Sequence, residues 1–193
     1  MPTLRLVVFD LDYTVWKPEM FQLCGAPRLV KGSSIGLSKA DVKQARTNQR
    51  GMVLVDGDKR TVPITVFDGA SFALAEIERL RQEGHEVYAA VASRCDETEY
   101  ADICLKHLVI HGGKTLQECF QDRVQIDPYS DKTHHLQRLH EQTGIPFENM
   151  CFFDNEIWNI RCVSKLGVKS IYTPDGMTTE AWEEALSNFR LPS

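Results

Sequence analysis

Apolar residues along this 193-residue chain fall in short runs that alternate with stretches of helical period. Leu4 to Phe9, rich in Leu and Val, is apolar on both faces and stops at Asp10, the pattern of a strand buried on both sides of a parallel sheet. From Asp68 the period becomes helical, with Phe72, Leu74, Ala75, Ile77 and Leu80 on one face, Asp68 as N-cap and Gly84 as the stop. Further strands are expected at Glu86–Val91, Arg123–Ile126, Met150–Phe153 and Val168–Tyr172. Helices are expected to open near Asp96, Ser130, Glu156 and Thr178.

Two stretches break this rhythm. Lys17 to Met52 reads as a long irregular segment. After it, Met52–Val55 and Arg60–Val66 flank Asp56-Gly57-Asp58-Lys59, whose Asp-Gly step signals a β-hairpin. Elsewhere strands and helices alternate with short connections, which implies right-handed crossovers and a doubly wound, Rossmann-like parallel sheet flanked by helices. The expected organisation is one α/β domain over 1–193, with 17–67 as a cap-like insert of irregular segment plus hairpin and no large cap domain. Ligands of such sheets bind beyond the carboxyl ends of the strands, so residues there are the candidates for chemistry.

Composition narrows the class. With 42% hydrophobic and 25% charged residues the chain has the balance of an ordinary globular protein rather than a disordered one. A formal net charge of -5 argues against a nucleic-acid partner, which requires a surplus of Lys and Arg. One segment runs against that balance: Arg28, Lys31, Lys39, Lys43, Arg46 and Arg50 oppose only Asp41, as a solvated face or as a surface that steers anions. The six cysteines show no C-x-x-C pair and read as reduced thiols. The first apolar run is too short for a signal peptide or a membrane span, so a cytoplasmic protein without a membrane partner is expected.

Four polar groups follow predicted strands. In Phe9-Asp10-Leu11-Asp12-Tyr13-Thr14, Asp10 is placed to attack phosphorus and Asp12 to protonate a leaving group and later deprotonate water; turn formation is the plainer alternative for two such residues. Ser93, in Val91-Ala92-Ser93-Arg94, offers a hydroxyl and adjacent N–H groups to a phosphate oxygen, although Ser after a strand is commonly a turn residue. Lys132 stands in the first turn of a helix, where negative charge is favoured, and turned inward it would offset the charge of Asp10 and a phosphoryl group. Asp154 ends another buried strand. Magnesium takes oxygen ligands and only one or two carboxylates, which Asp10, Asp154 and the backbone carbonyl of Asp12 would supply; Asp154 as a helix N-cap is the rival.

Together these stretches resemble the haloacid-dehalogenase-like hydrolases, and Phe9–Trp16, Ala92-Ser93-Arg94, Gly144-Ile145-Pro146-Phe147 and Phe152–Asn159 resemble the magnesium-dependent phosphatase-1 family within them. That resemblance implies a phosphatase working through an aspartyl-phosphate. Asp10 would be nucleophile, Asp12 acid and base, Lys132 charge stabiliser, and Leu11, Ser93 and Arg94 phosphate binders. Magnesium would lie on Asp10, Asp154 and the Asp12 carbonyl, supported by Thr14 and Asn155. Implied substrates are phosphotyrosine-type phosphoproteins or small sugar phosphates. Where the family carries a second Asp after the metal-binding one, this chain has Asn155, which removes an outer carboxylate.

Other residues are set aside. His134, His135 and His140 lack the i, i+4 spacing of a zinc-binding helix, while His107 and His111 have it but straddle a helix end. Cys95 lacks the glycine-rich cradle of a cysteine phosphatase. Trp16 and Trp158 read as core or rim residues, Trp16 near enough to the first motif to line its mouth. Competing readings are a phosphotransferase, a receiver-like switch, in which Asp12 would be surplus, and an inactive binding relative, favoured only by Asn155.

Overall fold

A computed structural model describes residues 1–45, 51–59 and 62–191 of the chain. In chain order the strands are β1 (Leu6–Phe9), β2 (Trp16–Lys17), β3 (Arg28–Lys31), β4 (Met52–Val55), β5 (Thr65–Val66), β6 (Tyr88–Ser93), β7 (Val124–Ile126), β8 (Met150–Asp154) and β9 (Lys169–Tyr172). The helices are α1 (Lys39–Ala45), α2 (Asp68–Gln82), α3 (Thr98–His107), α4 (Leu116–Phe120), α5 (Lys132–Thr143), α6 (Ile157–Ser164) and α7 (Thr179–Leu186).

β1 lies at the centre of a five-stranded parallel sheet of order β7-β6-β1-β8-β9. Its period of two sorts its side chains between two cores. Val7 and Phe9 join one with Leu74 and Ile77 of α2, Phe120 of α4 and Trp182 of α7, whereas Leu6 and Val8 join another with Leu136 of α5 and Val163 of α6. All four β1 residues are fully buried, and burial of each such side chain contributes about 1.5–3 kcal/mol. Phe9 also stacks on Phe153 of β8, ring centroids 5.4 Å apart. This is the layered architecture that the alternating pattern predicts.

The chain works outward from β1 through β6 to β7, then crosses back to β8 and β9. The direction reverses between β1 and β8, and at such a switch point the crossovers diverge and leave a crevice. Asp10 directly follows β1 and Asp154 ends β8, so both face that crevice by topology alone.

Several local expectations are corrected. The described residues of Lys17 to Met52 are not irregular: they carry the end of β2, β3, α1 and two 3-10 turns, Met20–Gln22 and Gly32–Ile35. The Asp-Gly turn forms, with Val55 and Pro63 bridging antiparallel, but the full ladder of β4 is with β3, Arg28 opposite Val55 and Lys31 opposite Met52. β5 pairs instead with β2, at the base of the excursion. Arg60, the first residue of the expected second hairpin strand, lies outside the described residues. The partners differ because Asp56 turns its carboxylate inward to accept the backbone N–H groups of Asp58, Lys59 and, from the other ribbon, Cys24 at 2.8 Å.

Periodicity does not predict α4, which opens with a capping box between Thr115 and Glu118. Cap positions shift by one residue. Asp131 rather than Ser130 caps α5, Asp68 is the first residue of α2 rather than its cap, and Asp96 caps nothing, since the N-cap of α3 is Glu97. Phe72, expected on the inner face of α2, is exposed. Among the described residues no helix is long and apolar enough to cross a membrane.

Candidate active site

The carboxyl ends of β6, β1 and β8, with the start of α5, frame a cleft of about 380 Å³ lined by Asp10, Asp12, Ser93, Arg94, Lys132 and Asn155. Lys132 is reached from α5 because its position in the first turn lets the side chain run down into the sheet edge. Only 2% exposed, it bonds Asp10 Oδ1, donates to the carbonyl of Ala92 at 2.7 Å and stands 3.2 Å from Asp154 Oδ2. Asp154 is fully buried, and its carboxylate also accepts from Glu156 N at 2.7 Å and from Asn159 Nδ2 at 3.0 and 3.2 Å. Asp12 Oδ1 accepts from Trp16 Nε1 at 2.8 Å and Met20 N at 3.1 Å. Ser93 Oγ accepts from Cys95 N at 3.2 Å, as in an ST turn, leaving its hydroxyl proton free to donate.

Burial crowds negative charge here. Desolvation, reinforced by Asp10, pushes the Asp154 carboxyl up to about 6 despite Lys132. Desolvation likewise raises Asp12, against the hydrogen bonds that favour its ionised form, and Asp10 adds to the rise. A carboxyl held above its ordinary value suits a group that must carry a proton. Glu19, on the cleft wall, is raised by burial and then by Asp12, Glu156 and Asp10. Burial presses the Lys132 ammonium toward neutrality, but Asp10 and Asp154 outweigh it and its pKa ends above the ordinary lysine value.

The cleft therefore holds more buried anion than Lys132 can balance. Among the described residues no three His, Cys, Asp or Glu side chains converge as a cation cage. Asp10 and Asp154, both in contact with one ammonium, are a two-carboxylate donor set that leaves further positions to a carbonyl, water and a phosphate oxygen. A hard divalent cation of magnesium type fits that donor set.

The structure brings Asp10, Asp12, Ser93, Arg94, Lys132, Asp154 and Asn155 to one place. Two expected residues stand back from it. Leu11 has its side chain fully buried in the core, so only its backbone is available to a ligand; Thr14, also fully buried, reaches Asn155 Oδ1 at 3.5 Å. Of the basic segment, Arg28, Lys31, Lys39 and Lys43 are exposed on β3 and α1 and none lines the cleft; Lys39 and Lys43 line a separate hollow beside His111. Arg46 and Arg50 lie outside the described residues.

Sequence reasoning passed over Asn159, Glu19, Phe21 and Glu156. Asn159 and Glu156 lie within the stretch that carried the family resemblance. Glu19 and Phe21 come from an excursion whose strand pairing no periodicity disclosed.

A parallel sheet with its switch point flanked by Asp10 and Asp154 and a lysine between them is the architecture of a haloacid-dehalogenase-like hydrolase. Solved structures bear this out for the fold. A haloacid dehalogenase-like family hydrolase from Xanthomonas campestris superposes with a TM-score of 0.55 at 15% identity, over 96% of this chain and 91% of that one. The N-terminal part of a Bacteroides fragilis protein, containing a phosphatase domain complexed with Mg, superposes at 0.54 and 15% identity, covering 99% of this chain and 41% of that one. The chain belongs to the acid phosphatase family, whose profile matches residues 2–191. It is similar to human magnesium-dependent phosphatase 1, with 32% identity over 186 residues, 96% of this chain and 86% of that protein.

Proposed function

We propose that the protein hydrolyses phosphate monoesters with magnesium as cofactor, through an aspartyl-phosphate on Asp10. The observation that carries this reading is the single ammonium of Lys132 shared by Asp10 and Asp154 at the sheet's switch point. Magnesium, held by Asp10, Asp154 and the Asp12 carbonyl, would neutralise phosphoryl charge.

The chain's own groups divide the remaining work. A carboxylate oxygen of Asp10 forms a bond to phosphorus as the ester oxygen leaves and takes the proton of Asp12. Water then attacks the aspartyl-phosphate and gives its proton to Asp12, releasing inorganic phosphate and restoring the Asp10 carboxylate. Lys132 holds Asp10 in place and offsets the charge on the transferring group, while Ser93, Arg94 and the Leu11 backbone bind phosphoryl oxygens. Thr14 and Asn155 brace the first and last of these loops against each other.

The substrates proposed are monophosphates of phosphotyrosine or sugar type. Supporting them is an open cleft walled by Phe21 and Pro128 rather than by a second domain. The whole chain acts as one domain, with 17–67 covering the site as a small cap. Phosphate release from phosphotyrosine peptides and sugar phosphates, with magnesium or chelator, tests this in wild type and Asp10→Asn. Turnover that chelator and Asp10→Asn both abolish is the expected result; turnover surviving either one sinks the reading.

A further inference from the structure

Asp12 is not free to present either oxygen. Trp16 Nε1–H and Met20 N–H both donate to Oδ1, at 2.8 and 3.1 Å. Neither donor has room to move. Trp16 is fully buried, paired with Val66 in the β2–β5 ladder, and its carbonyl accepts from Tyr13 N at 2.9 Å. Met20 is also fully buried, its Sδ 3.6 Å from Cys104 Sγ. Rotating the carboxylate away would strand a buried indole N–H, which costs the desolvation of that group.

Two donors on one oxygen occupy both of its in-plane lone pairs. When Asp12 is the neutral acid, its proton must therefore sit on Oδ2. Among the described residues no N–H or O–H donor bonds Oδ2. The Cys95 thiol stands beside the same carboxylate as a weak donor, kept protonated by burial and by the charge of Asp12.

We infer that Trp16 is the positioning residue of the reaction: its indole N–H claims Asp12 Oδ1, so that Oδ2 alone gives the proton to the departing ester oxygen and takes one back from the attacking water. The inference rests on the proposed role of Asp12 as acid and base. In the first half the bond from Asp10 to phosphorus forms, the ester oxygen–phosphorus bond breaks, and the proton on Oδ2 passes to that oxygen. In the second half the water oxygen bonds phosphorus, the Asp10 bond breaks, and a water proton returns to Oδ2. No electrons are gained or lost overall.

The consequence is selective. In the first half a nitrophenolate leaves without a proton, whereas an alkoxide requires one, so a misplaced acid harms transfer from alkyl esters and spares transfer from p-nitrophenyl phosphate; kcat/KM reports that half and not the aspartyl-phosphate hydrolysis that both substrates share. In Trp16→Phe, kcat/KM on glycerol 2-phosphate should fall about a hundredfold and on p-nitrophenyl phosphate only about threefold, because a misaimed group costs that order of rate. In an Asp12→Asn background Trp16→Phe should cost nothing further, since a residue acting through another has no effect once the other is gone.

Asp12→Asn alone distinguishes the two levels of failure. If it lowers kcat/KM on both substrates equally, the role of Asp12 as acid falls and this inference with it. If it is selective but Trp16→Phe lowers kcat/KM on both substrates by one factor, or adds a loss on top of Asp12→Asn, only the role of Trp16 is overturned. Should Trp16→Phe fail to fold, benzothienylalanine at position 16 keeps the bicyclic shape, deletes the N–H, and is judged by the same ratio.

Discussion

The ammonium of Lys132 ties together the carboxyl ends of three neighbouring strands: it bonds Asp10 after β1, the carbonyl of Ala92 in β6 at 2.7 Å, and lies 3.2 Å from Asp154 of β8. Removing it leaves two buried carboxylates facing each other. Lys132→Met is expected to abolish phosphate release and, in chelator, to lower stability by about 3 kcal/mol, the scale for breaking a buried charge pair. Magnesium should return part of that loss, because a bound cation restores counter-charge. Urea unfolding of wild type and Lys132→Met, with and without magnesium, checks both parts.

Asp154 predicts how pH and metal interact. Its carboxyl sits at about 6 in the fold against 3.8 ordinarily, so the folded state holds the proton more tightly. In metal-free protein, stability should therefore fall as pH rises across that window, by at most about 1.4 kcal/mol per unit. Magnesium favours the ionised form. The increase in melting temperature on adding it should be small at pH 5, larger at pH 7, and lost in Asp154→Asn.

His135, fully buried on α5 with neither ring nitrogen hydrogen-bonded, acts in the opposite sense. Burial first, and then Lys132, lower it to about 4 from 6.5. The folded state thus excludes a proton that the unfolded chain accepts, and the stability present above pH 6.5 should erode as pH falls toward 4. His135→Leu, which fills the site without a titratable ring, should shift the acid-unfolding midpoint to lower pH while leaving stability at pH 8 little changed.

Gly69 is the point where α2 meets the chain entering α7. A Cβ there would come within 2.3 Å of the backbone of Thr178, which has no rotamer with which to retreat. Gly69→Ala should cost about 1–3 kcal/mol by overpacking, despite alanine's better helix propensity. Equilibrium denaturation measures it, and an unchanged midpoint would show that α7 can withdraw at no cost.

How much of this was readable beforehand depends on what each residue does. Strand ends occupied by Asp10, Ser93 and Asp154 announced themselves, since a polar residue closing an apolar run in a parallel sheet has few other reasons to be there. Lys132 was legible as an anomaly, a cation where a helix dipole prefers an anion. Trp16 was not, because its apolar surface alone justifies its burial and nothing in a sequence says where an indole N–H points. Nor was the β3–β4 ladder: the Asp-Gly signal marks a turn, but the choice of partner strand was made at long range, through Asp56 and Cys24. α4, five residues long, offers too little periodicity to detect, and only its Thr115 and Glu118 spacing betrays it.

The two-residue ladder of β2 and β5 sets Trp16 opposite Val66 and Lys17 opposite Thr65. The chain thus leaves the sheet edge and returns to it through adjoining doorposts, and just inside them Met20 reaches back to Asp12 and Cys104. Such a joint makes the outer part of β3 and α1, which packs in a small cluster of its own, exchangeable: descent with modification can lengthen, shorten or replace it without disturbing the strands that carry the chemistry. Trp16 in the joint and Met20 just beyond it keep their hold on Asp12, so new coverings could be tried farther out over the same acid without disturbing its aim.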